Sequence, residues 1–203
     1  GGDDVLEIHV GGGAALLHQR QELVEVTFAQ CCHLLGNAGI FLIEMDRTEH
    51  STIAAFLAKY RDCGKEVLLL DNNLYADKDW FFQNTDYLLE HNLRVNICQG
   101  MDIRILTEEV AERLAQIKHK NNLLRFAWDN PKDDLEWRFR RFAEKYRKKG
   151  HCKTVYVLTN YNSTMEENLY RIYTLRDLGY DPYVMVYNKP SAPKEIRDLQ
   201  RWV

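Results

Sequence analysis

The chain has 203 residues, of which 45% are hydrophobic and 28% are charged. This is the composition of a folded globular protein, and it excludes a disordered or fibrous one. A formal net charge of −3 excludes a surface that is basic throughout, so we expect no nucleic-acid partner. No apolar run approaches the roughly 20 residues that cross a membrane, and no signal-peptide pattern opens the chain, so we expect no membrane partner.

The cysteines indicate the compartment in which the protein works. There are five of them, an odd number, and their spacing does not repeat. This pattern argues against a disulfide framework and for a reducing environment, so we expect a cytoplasmic protein. Nothing in the sequence indicates an oligomeric state.

Seven short apolar segments recur along the chain at the spacing of βα units. They are rich in Val, Ile, Leu and aromatic residues, and several are nearly continuous, as in strands that are covered on both faces of a parallel sheet. The first is Val5–Val10, and the others begin at Ile40, Glu66, Leu93, Leu123, Thr154 and Pro182.

Amphipathic segments separate the predicted strands and predict helices. Helices that begin near Thr107 and Ser163 open with capping residues followed by acids, and the segment before Gly150 ends in a basic turn. The repeated strand–helix order predicts an α/β fold with a seven-unit (βα) parallel sheet, in the form of a partial or complete TIM-type barrel. An open, doubly wound sheet is the competing architecture.

Polar side chains follow most of the predicted strands, at the end where parallel α/β folds bind ligands. Asp and Asn are also common in turns, but that preference explains one or two such loops better than six. We therefore expect a common polar site that includes Asp71, Asn73, Gln99, Asp102, Arg104, Asp129, Asn160 and Asn162.

Other candidate motifs are weaker. Cys31, Cys32 and His33 are of metal-binding types, but adjacent thiols in a helical pattern do not chelate as C-x-x-C does, so we expect no metal ligands. The run Gly11–Gly13 does not match a phosphate-binding loop, and we interpret it as a connection. No catalytic residue is assigned, because the sequence does not show which acids converge among Glu44, Asp46, Asp71, Asp102 and Asp129.

From about Gly64 onward, long ordered segments resemble the radical S-adenosylmethionine (radical SAM) superfamily. They include KEVLLLDNNLYADKDW, NICQGMDIRILTEEVAERL, LRFAWDNPKDD and YVLTNYNSTMEENLYRIYTLRDLGYDPYVMVYNKP. The resemblance implies a parallel (βα) barrel in which a four-iron cluster cleaves S-adenosylmethionine. It also implies a cavity lined by ligand-binding residues, namely Asp71, Asn72, Asn73, Gln99, Asp102, Arg104, Asp129, Asn130, Asn160 and Asn162.

The chain departs from the superfamily at its defining motif. The superfamily holds its cluster with three cysteines spaced C-x-x-x-C-x-x-C after the first barrel strand, whereas this chain has GIFLIEMDRTEHST there. Three thiolates are needed to hold such a cluster and leave one iron open. We therefore expect no bound cofactor and no radical chemistry, with S-adenosylmethionine and the 4Fe–4S cluster implied by resemblance only. A small polar or nucleotide-like ligand at the strand ends remains the expected partner.

The sequence leaves two alternatives open. One is an active radical SAM enzyme whose cluster ligands lie outside this chain, and the other is a recombined or designed scaffold without catalytic function. Both arise because residues 1–63 resemble nothing in the superfamily, while residues 64–203 do. We expect a single (βα) domain over residues 1–203, in which the first part is a chimeric addition of βα units.

Overall fold

The computed structural model describes residues 40–43, 52–59, 65–69, 73–146 and 152–203. The first predicted strand, Val5–Val10, and the Cys31–His33 cluster lie outside these residues. The described strands are β1 (Ile40–Ile43), β2 (Glu66–Leu69), β3 (Arg94–Ile97), β4 (Lys118–His119), β5 (Leu123–Trp128), β6 (Cys152–Thr159) and β7 (Asp181–Val186). The described helices are α1 (Ile53–Lys59), α2 (Lys78–Glu90), α3 (Glu108–Gln116), α4 (Glu136–Lys145), α5 (Met165–Asp177) and α6 (Lys194–Trp202).

The described strands form two parallel sheets. One has four strands in the order β1-β2-β3-β4, and the other has three in the order β5-β6-β7. Every described pairing is parallel, as the strand–helix repeat predicts. An isolated parallel bridge joins the two sheets where Met101, just after β3, pairs with Phe126 in β5.

The prediction of a seven-unit (βα) sheet in a partial or complete TIM-type barrel is wrong, although the α/β class is right. The reason is β4, a strand of two residues that pairs only with Arg94 and Val95 of β3. The chain then enters a 3₁₀ turn, Lys120–Asn122, and β5 starts a second sheet without a helix between the two strands. Asn121 and Asn122 both have positive φ angles, which breaks the extended backbone that one continuous sheet would need.

The helices begin where the sequence places capping residues. Thr164 and Glu167 form a complete capping box at the start of α5, and the Thr107 side chain accepts a hydrogen bond from the Val110 amide at the start of α3. Helix α5 is followed by Gly179, whose φ of +75° a residue with a side chain adopts less readily. None of the described helices is long and apolar enough to cross a membrane.

One apolar core extends over both sheets. The inward side chains of β2, β3, β5 and β6 are almost fully buried, and the helices add large residues such as Phe81 and Phe139. A smaller cluster lies between β7, α5 and α6, around Ile172, Val184 and Leu199. Because the core is shared, the carboxyl ends of β3 and β5 are held at a fixed distance from each other.

Strand β7 has one free edge among the described strands, since its only neighbour is β6. The Tyr187 amide donates to the Thr159 carbonyl of β6, so the backbone groups of the alternate residues Pro182 and Val184 face away from β6. Pro182 has no amide hydrogen, and the Gln200 side chain of α6 donates to the Val184 carbonyl at 2.8 Å.

Gly100 lies where the loop after β3 approaches β5 closely. A Cβ at this position would lie 2.9 Å from the Ala127 Cβ and 3.1 Å from the Phe126 carbonyl oxygen. We expect Gly100→Ala to lower the free energy of unfolding by about 1–3 kcal/mol, measured by urea denaturation, because backbone and β-strand atoms would have to move. Gly179→Asn is the control. A Cβ added at Gly179 would meet no atom within 4 Å beyond its chain neighbours, and Asn tolerates the positive φ of this position. Equal stabilities of the two variants would contradict the prediction.

Candidate ligand-binding site

The loop after β3 carries an ion pair at the carboxyl end of the sheet. Asp102 caps a 3₁₀ turn, Ile103–Ile105, by accepting a hydrogen bond from the Arg104 amide at 2.9 Å. The Arg104 guanidinium also donates to the Asp102 carboxylate, from Nε to Oδ1 at 2.9 Å and from Nη2 to Oδ2 at 2.8 Å. The buried Tyr75 hydroxyl donates to the Asp102 carbonyl at 2.8 Å and anchors this loop to the core.

The turn after β5 supplies the second half of the site. Asn130 Nδ2 donates to Asp133 Oδ1 at 2.9 Å, and the Lys132 amide donates back to the Asn130 side chain at 3.2 Å. The Trp128 indole donates to the Asp133 carbonyl at 3.2 Å, which fixes the turn against the core. Arg104 Nη1 reaches Asp133 Oδ2 at 3.4 Å, so the two strand exits meet at this arginine.

The site is charged at neutral pH. Partial burial disfavours the Asp102 carboxylate, but hydrogen bonds from the Arg104 side chain and backbone, with the positive charges of Arg104 and Arg138, lower the pKa of Asp102 below its ordinary value. The hydrogen bonds that Arg104 donates to the Asp102 carboxylate raise the pKa of Arg104. Because the Arg104 side chain is 57% exposed and that of Asp102 only 19%, the arginine is the member of the pair that a ligand reaches.

A buried arginine, Arg171 of α5, lies beneath the ends of β5 and β6. Its guanidinium donates to the Trp128 carbonyl at 2.7 Å, to the Leu158 carbonyl at 2.9 Å and to the Asn168 side chain at 2.7 Å. A further bond at 3.2 Å goes to the Asp129 carbonyl. Burial lowers the pKa of Arg171 to about 10, against the opposing charges of Asp129 and Glu167, so the group is cationic at neutral pH.

The other residues expected at the site have separate positions. Asp71 and Asn72 lie outside the described residues. Asn73 lies in the turn before α2, where its carbonyl accepts from the Ala76 amide, and Gln99 is half-buried directly after β3. Asn160 has a φ of 61° and donates to the Tyr187 carbonyl at 2.8 Å, so its side chain joins the exits of β6 and β7. Asn162 is exposed. The described contacts therefore join Asp102, Arg104 and Asn130 through Asp133, and leave a shared cavity for the whole set as a prediction.

Two residues of this region were not predicted as site residues. Asp133 directly follows an Asx turn, in which the Asn130 side chain accepts from the Lys132 amide two residues on, and the Asn-Pro-Lys-Asp sequence is typical of such a turn. Arg171 has no comparable signal, because an arginine on an amphipathic helix normally faces solvent.

The described donors do not fit a four-iron cluster. The described cysteines are Cys98, directly after β3, and Cys152, at the start of β6, so they lie at opposite ends of parallel strands. Within the described ranges no group of three His, Cys, Asp or Glu side chains could hold a metal ion.

Comparisons with known proteins concern the fold. No protein-family model matches the chain, and no curated protein matches it. The crystal structure of Streptococcus suis SuiB bound to precursor peptide SuiA is similar to this chain, with a TM-score of 0.50 and 11% sequence identity. SuiB bound to S-adenosylmethionine has a TM-score of 0.48 and 12% identity.

The likeness lies in the fold. Each match covers 72% of this chain and 35% of SuiB, so the chain spans about a third of the length of the solved structure that it matches. Over that segment the chain shares an α/β fold with SuiB.

Proposed function

We propose that the strand exits of β3 and β5 bind a small zwitterionic ligand of nucleoside type, and that S-adenosylmethionine is the first candidate. The observation that carries the proposal is the geometry of Arg104. Its Nε and Nη2 are committed to Asp102, whereas Nη1 makes only a long contact, 3.4 Å, with Asp133 on a different loop. A ligand carboxylate can therefore take the place of Asp133 at Nη1 without breaking the fork between Arg104 and Asp102.

The charges of the site favour the same class of ligand. Asp102 and Asp133 outnumber Arg104, so these three side chains together carry one negative charge. S-adenosylmethionine has a carboxylate for Arg104, and its ammonium and sulfonium groups give it a net positive charge. Its ribose hydroxyls are donors that the Asp133 carboxylate accepts once Nη1 has moved to the ligand.

The proposal does not include radical chemistry by this chain alone. The sequence has no C-x-x-x-C-x-x-C motif, and the described cysteines do not converge. Three converging thiolates are what a site-differentiated cluster requires. The proposed activity is therefore binding, and the likeness to a radical SAM fold supports the choice of ligand without extending to catalysis.

Calorimetric titration of S-adenosylmethionine into wild-type protein and Arg104→Met tests the proposal. We expect the variant to lose about tenfold or more in affinity, because a charge-assisted hydrogen bond contributes about 1.5–3 kcal/mol. Arg140→Met is the matched control, since Arg140 is an exposed arginine that pairs with Glu136 on α4, and we expect it to leave the affinity unchanged. Absence of binding to the wild-type protein, or an equal loss in the control, would contradict the proposal.

A further inference from the structure

A groove of about 320 Å³ runs between α5 and α6, away from the polar site. Its α5 wall is formed by Met165, Leu169 and Tyr173, which are spaced four residues apart and so form one ridge along the helix. Leu199 of α6 closes the floor and is 6% exposed, as part of the smaller apolar cluster. The groove between α5 and α6 therefore has one apolar wall and an apolar floor.

One end of the groove exposes two aromatic rings. Tyr173 and Trp202 are 50% and 52% exposed, and their rings meet edge to face with centroids 5.9 Å apart. Arg176 stacks on Trp202 at 4.8 Å and holds the indole in place. Large aromatic side chains held at the surface in this way are typical of protein contact sites, because they bury much area at a low cost in conformational entropy.

The other end of the groove is acidic. Glu195 and Asp198 line it, and no lysine or arginine is among the described residues of the lining. Asp198 pairs with Arg201 at 3.1 Å, but the arginine is 79% exposed, and such pairs contribute little. The lining thus carries two carboxylates beside an apolar floor, with Arg201 and Arg176 at its rim and the Glu195 carboxylate outside any described ion pair.

We propose that this groove docks an amphipathic helix of a partner protein that carries apolar residues four positions apart and lysine or arginine beside them. The ridge of residues spaced four apart on α5 can pack into the groove between the side-chain ridges of a third helix. The carboxylates of Glu195 and Asp198 select a basic partner. This inference is independent of the ligand proposed for Arg104.

Fluorescence anisotropy with two labelled synthetic peptides tests the inference. One is a leucine–lysine amphipathic helix, and the other has glutamate in place of every lysine. We expect the lysine peptide to bind the wild-type protein at least about tenfold more tightly than the glutamate peptide. We expect the double variant Glu195→Lys/Asp198→Lys to reverse this preference, and Trp202→Ser to weaken the lysine peptide while the far-ultraviolet circular dichroism is unchanged.

A matched control separates the groove from the overall negative charge of the protein. Glu109→Lys/Glu112→Lys makes the same change in charge at two exposed acids of α3. We expect this variant to keep its preference for the lysine peptide. Equal affinities of the two peptides for wild-type protein, or an equal loss in the α3 variant, would overturn the inference.

Discussion

Replacing Arg171 with methionine is expected to lower the free energy of unfolding by about 3–5 kcal/mol. The guanidinium is fully buried and satisfies the Trp128 and Leu158 carbonyls at the ends of two strands. Methionine keeps much of the volume but leaves these buried acceptors without their donors. Urea denaturation followed by circular dichroism measures the loss.

Two further variants define what Arg171 contributes. Arg171→Lys retains the charge but has a compact ammonium that cannot reach both strand ends in a fork, so we expect an intermediate loss. Arg176→Met removes an exposed arginine of the same helix, whose contact is the stack on Trp202, and we expect it to cost about 1 kcal/mol or less. If Arg171→Met were no less stable than Arg176→Met, the buried hydrogen bonds would have no net effect.

Raising the pH above about 10 is expected to unfold the protein steeply. Burial raises the pKa of Tyr75, Tyr146 and Tyr180 above the ordinary tyrosine value of 10.0, and the Asp102 charge adds to the effect on Tyr75. The unfolded chain gives up these phenolic protons near pH 10 while the folded protein keeps them. Their contribution to stability is therefore complete below pH 10 and is lost as the pH rises, by about 1.4 kcal/mol per tyrosine and pH unit.

Arg171 acts in the opposite direction in the same range. Its folded pKa, about 10, lies below its ordinary value, so the unfolded state binds its proton more tightly and stability rises as this proton is released. Lys153, whose pKa burial also lowers, acts in the same direction as Arg171. The three tyrosines outnumber these two groups, so the net effect is a loss of about 1–3 kcal/mol per pH unit. Urea denaturation between about pH 9 and 11 measures this slope, and Tyr180→Phe should make it shallower. Ionisation of all eleven tyrosines near pH 10 without loss of circular dichroism would contradict the prediction.

The sequence predicted the local structure better than the connection between sheets. The β5 segment, Leu123–Trp128, was predicted with its observed bounds, because a run of alternating buried positions is a local signal. Strand β4 was missed, since Lys118 and His119 are two polar-type residues that become a strand only by pairing with β3. Barrel closure depends on such long-range pairing, which hydrophobic periodicity does not encode.

At the candidate site, too, local features could be predicted from the sequence and long-range contacts could not. Asp102, Arg104 and Asn130 could be predicted because polar residues after parallel strands lie at one end of a sheet. Their actual partner, Asp133, depends on how the turn after β5 folds back by a hydrogen bond from Trp128. Arg171 could not be predicted, because its role depends on two carbonyl groups that are distant in sequence. Asn160 joins two strand exits by donating to the Tyr187 carbonyl, and its role as a ligand residue stays a prediction.

The outer edge of β7 bears on how this protein behaves at high concentration. An unpaired strand edge normally offers alternating amides and carbonyls to which a strand of another molecule adds, and fibrils grow from such edges. Here Pro182 offers no amide, and the Gln200 side chain already occupies the Val184 carbonyl. A second molecule would therefore find no donor at Pro182 and an occupied acceptor at Val184. These two features make the β7 edge a poorer template for strand addition, and a substitution at Gln200 would free the Val184 carbonyl as an acceptor.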